Sequence, residues 1–175
     1  MPEAELIQGE QGLKPRGDGW YVLNARDAEW VESPHFGQFL NFEGDVRFDQ
    51  LGVNIHVLRP GQPACKYHSE SSQEAFLVLS GECLLIVDGQ ERPLRAWDFF
   101  HCPPGVEHVF VGAGDGPCAI LMMGSRLGED QGLNYPMNET AARYGASVSE
   151  ATHDPKVAYE GLRDRSLISA PFPAD

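Results

Sequence analysis

The stretch Lys66–Glu82, KYHSESSQEAFLVLSGE, decides the fold. It carries one histidine, three glutamates and no arginine, and it runs into an apolar segment that Gly81 closes. Side chains alternate across a strand, so Glu74, Phe76 and Val78 share one face and Ala75, Leu77 and Leu79 the other. A carboxylate at the head of such a strand is costly to bury without a partner. The polar segment therefore reads either as a metal site on the lip of a strand or as a solvated loop before a buried one. At least one further ligand from elsewhere in the chain has to arrive for the first reading.

The same texture recurs through most of the chain. WYVLN (20–24), FGQFLNF (36–42), LGVNIHVL (51–58), EAFLVLS (74–80), CLLIV (83–87), WDFFHC (97–102), HVFV (108–111) and CAILMM (118–123) are short, aromatic or β-branched, and separated by turn residues. Pro60-Gly61 suits the centre of a type II turn, Asp88-Gly89 a two-residue hairpin, and Gly112–Pro117 separates two strands. Regular strands with such turns predict an all-β sandwich or barrel. Beyond Gly124 the sequence turns polar and helical. Asn138 is placed to cap ETAARY with Gly145 closing it, and Asp154-Pro155 to start KVAYEGLRD. The expected organisation is an N-terminal arm over 1–21, loose through its Gly/Glu-rich part, a barrel over 22–124, and a C-terminal extension over 125–175 whose short helices lie outside the barrel.

Composition restricts the function. With 175 residues, 42% of them hydrophobic, the chain has the size of one domain with its own core. Thirteen Lys and Arg against 26 Asp and Glu give a net charge of −13, which repels phosphate backbones and anionic lipid. Nucleic acid and membrane are not expected partners. No basic-then-apolar leader and no apolar run of about 20 residues is present, so a cytoplasmic, soluble protein is expected. Cys65, Cys83, Cys102 and Cys118 form no CxxC pair and read as reduced, mostly buried thiols.

Four side chains are candidate ligands. His68 and Glu70 are two apart and point together in an extended segment, and SSQ can bend the chain before Glu74 joins its strand. The second polar cluster is HCPPGVEHVFV, where Pro103-Pro104-Gly105 makes a tight turn and His108 opens a strand. His108 and Phe110 share one face of it, Val109 and Val111 the other. Antiparallel pairing would set His108 beside the first cluster. His56 and Asn54 lie on the face opposite Val53, Ile55 and Val57 and read as lining residues. His101 and Cys102 read as structural. Cys65 has no cationic activator beyond Lys66, which argues against a nucleophilic role.

In these two clusters the chain resembles the cupins, a superfamily of small β-barrels recognised by two short motifs. Gly61, His68, Glu70, Glu74 and Gly81 follow the first motif, with Glu70 where a second histidine is usual and Gly61 one residue farther off than the pattern asks. Two other registers put Tyr67 and Ser69, or Lys66 and His68, at the histidine positions. Pro103, Gly105 and His108 follow the second motif, with Trp97 or Ala96 near its usual first glycine and Gly112 in place of an asparagine. The likeness runs from about Val53 to Met123. It implies a jelly-roll barrel holding a metal through His68, Glu70, Glu74 and His108.

Two histidines with one or two carboxylates suit Fe, Mn, Zn or Ni as divalent ions. A bound small molecule is the expected partner, treated by oxygenase-like or Lewis-acid chemistry, or else only bound, as in a sensing module. Few basic residues are available to clamp a phosphate, which disfavours sugar phosphates. Sheet edges that need covering point to a homodimer.

Overall fold

The computed structural model describes residues 1–127 and 132–172. Parts of the C-terminal extension, 128–131 and 173–175, lie outside the described residues. The described residues form twelve strands and two four-residue helices: β1 (Glu5–Gln8), β2 (Leu13–Arg16), β3 (Trp30–Ser33), β4 (Gly37–Asn41), β5 (Leu51–Leu58), β6 (Glu74–Ser80), β7 (Glu82–Val87), β8 (Gln90–Arg95), β9 (Phe99–Cys102), β10 (His108–Ala113), β11 (Cys118–Ser125), α1 (Glu139–Ala142), α2 (Pro155–Ala158) and β12 (Ser166–Ile168). This is an all-β, jelly-roll-like fold. A seven-stranded antiparallel sheet, ordered β12-β3-β4-β5-β11-β6-β9, faces a three-stranded sheet, β10-β7-β8. Bridges Pro63↔Val111 and His68↔His108 tie the segment before β6 to β10.

Alternation decides what each face buries. Leu58, Phe76, Val78 and Ile120 of the large sheet meet Cys83, Leu85 and Phe110 of the small one in an inner core. The aromatic rings of Phe76 and Phe110 lie 4.8 Å apart, centre to centre. The opposite face of the large sheet buries Trp30, Leu40, Ile55, Val57 and Ala119. The small sheet is apolar on its outer side too, where Ile86, Val109 and Val111 pack on Tyr67, Ala141 and Ala146. Strands buried on both faces read as unbroken apolar runs, which is the reason CLLIV and HVFV show no polar alternation.

The tail is therefore structural cover for the small sheet. Asn138 caps α1 by accepting from the Ala141 N–H, and Asp154 caps α2 by accepting from the Lys156 N–H. Both helices lie outside the sheets, as the sequence suggests. The extension is not only helical, however, because β12 pairs with β3 at the edge of the large sheet. Its three residues are too few to show a period.

Three other readings are corrected. Residues 21–24 of WYVLN are not a strand; only Trp20 forms a bridge, to Glu3. The first nineteen residues are not loose, since β1 and β2 pair from Glu5↔Arg16 to Gln8↔Leu13 and the Leu13 N–H donates to the Asp27 carbonyl. Strand β8 (QERPLR) was invisible because it is a largely exposed edge, where charge and Pro93 guard against further pairing. At the turn between β7 and β8, Asp88 and Gly89 take φ of 47° and 74°, the left-handed pair that a type I′ hairpin requires. Gly112 stands where the resemblance expects asparagine because a Cβ there would collide with the Arg59 carbonyl.

Candidate metal centre

The registers of the large sheet set one wall of the site. Glu74 pairs with Gly124, which pairs with Gly52, while Phe76 pairs with Met122, which pairs with Asn54. The row nearest the sheet end thus carries one carboxylate with two glycines in succession on one side of it and Cys102 on the other. Among the described residues, a Cβ on Gly124 would touch nothing but the Glu74 side chain, at 3.8 Å, which leaves space beside that carboxylate. The next row carries Asn54, Met122, Phe76 and Phe100.

The opposite wall is built by a two-residue exchange. The His68 N–H donates to the His108 carbonyl and the His108 N–H to the His68 carbonyl, at 3.1 and 2.8 Å. Residues paired in this way in an antiparallel bridge present their side chains on one face. The two imidazoles lie 4.9 Å apart between centroids.

Each ring is oriented by a carbonyl two residues earlier. His68 Nδ1 is 2.8 Å from the Lys66 carbonyl and His108 Nδ1 is 3.1 Å from that of Val106. A carbonyl accepts only, so both Nδ1 atoms carry the hydrogen and both Nε2 atoms present a lone pair. That is the tautomer a metal-ligating histidine uses. His108 Nε2 lies 3.5 Å from Glu74 Oε2, and His68 Nε2 lies 3.8 Å from Glu70 Oε1.

His68, Glu74 and His108 each offer a ligand atom, all within 4.8 Å of one another. Ligands about 2.1 Å from one ion stand about 3 Å apart in neighbouring positions, so a small contraction would complete the set. Glu70 sits at the edge of this group. Its Oε2 accepts from the Ser72 hydroxyl at 3.1 Å and its backbone carbonyl accepts from the Gly105 N–H at 2.7 Å.

Burial sets the protonation of the group. Burial, followed by the neighbouring His68, pushes His108 down to about 3, and burial lowers His68. Burial and then the charge of Glu70 push Glu74 up to about 8. At neutral pH the imidazoles are neutral and Glu74 holds its proton, so no ion pair forms among them. A divalent cation would reverse the preference of the carboxyl and use both lone pairs. The donor set, two imidazole nitrogens and one or two carboxylates, fits Fe, Mn, Zn or Ni as a divalent ion.

These side chains line a cavity of about 250 Å³, together with Phe110, Met122, Asn54, His56, Arg47 and Arg126 among others. His56 stacks on Phe39 with ring centres 5.4 Å apart, and burial with the nearby Arg165 lowers it to about 4. Asn54 and His56 are thus lining residues. Cys102 is buried with Sγ 3.5 Å from His108 Nδ1, and burial raises its thiol to about 12. Cys65, 3.7 Å from His68 Nδ1, is raised further by burial and the two glutamates, so neither thiol is a nucleophile.

Sequence reasoning missed two contributors. Tyr135 lies 5.9 Å from the His68 ring, and Asn134 forms a bridge with Ser69, so the chain beyond β11 closes over the ligand segment. Arg126 reaches the mouth just after β11, where it pairs with Glu43. Nothing local distinguishes these residues from other loop positions.

A small antiparallel β-fold with a His-Glu-His group between its sheets defines a class, and residues 54–124 match the cupin domain family. Over this span the chain is a cupin domain. It is 29% identical to gentisate 1,2-dioxygenase 1 of Aquipseudomonas alcaligenes, over 56% of this chain and 32% of that protein. The chain therefore spans about a third of the length of this curated relative. Among solved structures, polyketide cyclase RemF of Streptomyces resistomycificus superposes with a TM-score of 0.52 at 15% identity, covering 64% of this chain and 89% of that one. A cupin protein of Bacteroides fragilis gives 0.48 at 22% identity, covering 63% and 86%. These structural likenesses concern the fold. Among the described residues, no helix is long and apolar enough to cross a membrane.

Proposed function

We propose that the chain is a metal-dependent cupin acting by oxygenase-type chemistry on a small organic molecule bound between the sheets. The observation that carries this reading is the convergence of His68 Nε2, His108 Nε2 and the Glu74 carboxyl, with both Nδ1 atoms committed to backbone carbonyls. Two histidines and one carboxylate, with positions left over, are the ligand set of non-haem iron oxygenases. A divalent iron or manganese ion at this place would supply redox and Lewis-acid chemistry to an oxygen atom of the substrate.

The protein's own part follows from its side chains. The Lys66 and Val106 carbonyls hold the imidazoles in the ligating tautomer. Glu74 releases its proton as it becomes a ligand. Phe76, Phe110 and Met122 keep water from the inner wall. Glu70 is the candidate fourth ligand, reached by a rotation of its side chain from the Ser72 contact, and the set without it is the two-histidine, one-carboxylate set on which the oxygenase reading rests. Support for an oxygenase over isomerisation or hydrolysis comes from the dioxygenase relative, whose match covers part of each chain. Self-association as a homodimer belongs to the same reading, because Trp20 and Val22, beside the N-terminal hairpin, are 54% and 80% exposed.

The test is elemental analysis of protein purified without chelator or affinity nickel, followed by rebinding. About one iron or manganese per chain is expected. If the folded protein neither retains nor rebinds a transition metal, the enzymatic reading falls and a metal-free binding module takes its place.

A further inference from the structure

On the same wall as Glu74, and across from His68 and His108, β5 sends two polar side chains into the same cavity. Asn54 and His56 are two residues apart and so share the inward face, in register with Met122 and Ile120 of β11. Asn54 Oδ1 and His56 Nδ1 are both shut off from solvent and, among the described residues, have no hydrogen-bond partner. A buried polar atom left unpaired costs about 1–3 kcal/mol, and folding alone gives no reason to retain two of them side by side. An apolar pair would pack on Phe39, Met122 and Ile120 without that cost. The atoms are wanted by something absent from the protein itself.

The cavity limits what that is. About 250 Å³ corresponds to about eight waters at roughly 30 Å³ each, the room of one small ring with its substituents. Asn54 Oδ1 can only accept, so the occupant must bring a donor to it. Arg47 and Arg126 line the cavity with Glu43 beside them, one net positive charge among these three, while Glu70 lies by the histidines in a chain whose formal charge is −13. A cationic cluster on an acidic protein favours an anionic ligand.

We propose that Asn54 and His56 are specificity-determining residues that select a small hydroxy acid, its hydroxyl bound by the β5 pair and its carboxylate facing the arginines at the mouth. This rests on the reading of the cavity as a ligand site and deepens it. Discrimination arises because a ligand without the hydroxyl would leave Asn54 Oδ1 unpaired in the complex, whereas one that carries it supplies the missing donor.

Salicylate, benzoate and phenol serve as probes, since benzoate lacks the hydroxyl and phenol the carboxylate. Calorimetric titration into zinc-loaded protein measures binding without turnover. The expected order is salicylate at least tenfold tighter than either of the others. Asn54→Leu and His56→Phe should bring salicylate and benzoate within about threefold of each other while zinc affinity stays unchanged. Thermal unfolding of the metal-free variants is the second readout, and both should melt at or above the parent temperature, which a structural role for the pair would not allow. Equal binding of salicylate and benzoate by the parent protein, meaning that only water meets the pair, overturns the proposal. So does undiminished discrimination in Asn54→Leu, or a clear loss of stability in both variants. If zinc fails to bind, the metal reading falls, and the same titrations on metal-free protein decide the role of the pair by the same outcomes.

Discussion

Replacing Glu74 with Gln tests the electrostatics of the site before any metal or substrate is added. The Glu74 side chain is 12% exposed, and burial together with Glu70 raises it from an ordinary 4.5 to about 8. The folded protein keeps this proton up to about pH 8, whereas the unfolded chain releases it above about pH 4.5. Stability from this group is thus full below pH 4.5 and declines as pH rises, by about 1.4 kcal/mol per unit, to a total loss of roughly 5 kcal/mol at pH 8. His56, His68 and His108 have depressed values, so their cost is felt as pH falls below 6.5 and is absent above it. The window from pH 6.5 to 8 therefore isolates Glu74 among these buried groups. Across it the metal-free protein should lose about 2 kcal/mol, or roughly 4–8 °C in melting temperature for a chain of this size. Glu74→Gln has no proton to hold, so its melting temperature should be flat over the window and higher than the parent's at pH 8. Tryptophan fluorescence melts in the presence of a chelator measure both. A parent curve flat between pH 6.5 and 8, or an equal decline in Glu74→Gln, would refute the assignment of a buried protonated carboxyl.

His68→Ala and His108→Ala should each abolish tight Zn or Mn binding in calorimetric titration, with far-UV circular dichroism unchanged. Glu70→Gln separates a fourth ligand from a rim carboxylate: affinity lower by tenfold or more supports ligation, and a change within about twofold assigns Glu70 to the rim. Trp97 has φ of +75° and is 76% exposed, so Trp97→Gly should raise stability by about 1 kcal/mol, read from denaturant midpoints. A fall in stability would show that the indole makes a contact worth more than the strain. Sedimentation at micromolar concentration should give a dimer, and only monomer there would remove the homodimer from the proposal.

The local pattern of this chain was enough for its central strands. LGVNIHVL and EAFLVLS occupy the intervals read for them, Asp88-Gly89 makes the expected hairpin, and the face shared by His108 and Phe110 is the inward one. These features depend on alternation and on turn chemistry, which act over a few residues. Trp97 shows the same economy, because the position where the cupin pattern prefers glycine is one that demands a left-handed backbone.

What depended on distant neighbours was not legible. Trp20–Asn24 has the composition of a strand but lacks a continuous partner, and β8 has a partner without the composition. β12 and Tyr135 reach the large sheet and the His68 ring only because the chain doubles back over more than a hundred and over sixty residues respectively. At the site, the residue types were visible in the sequence, but their roles were not. Whether His56 lines a cavity is set by the register of β5 against β11, and which imidazole nitrogen faces the cluster is set by the carbonyls of Lys66 and Val106. Register and carbonyl direction are properties of paired backbones. No run of side chains encodes them alone, so the composition of the site belongs to the sequence and its geometry to the tertiary structure.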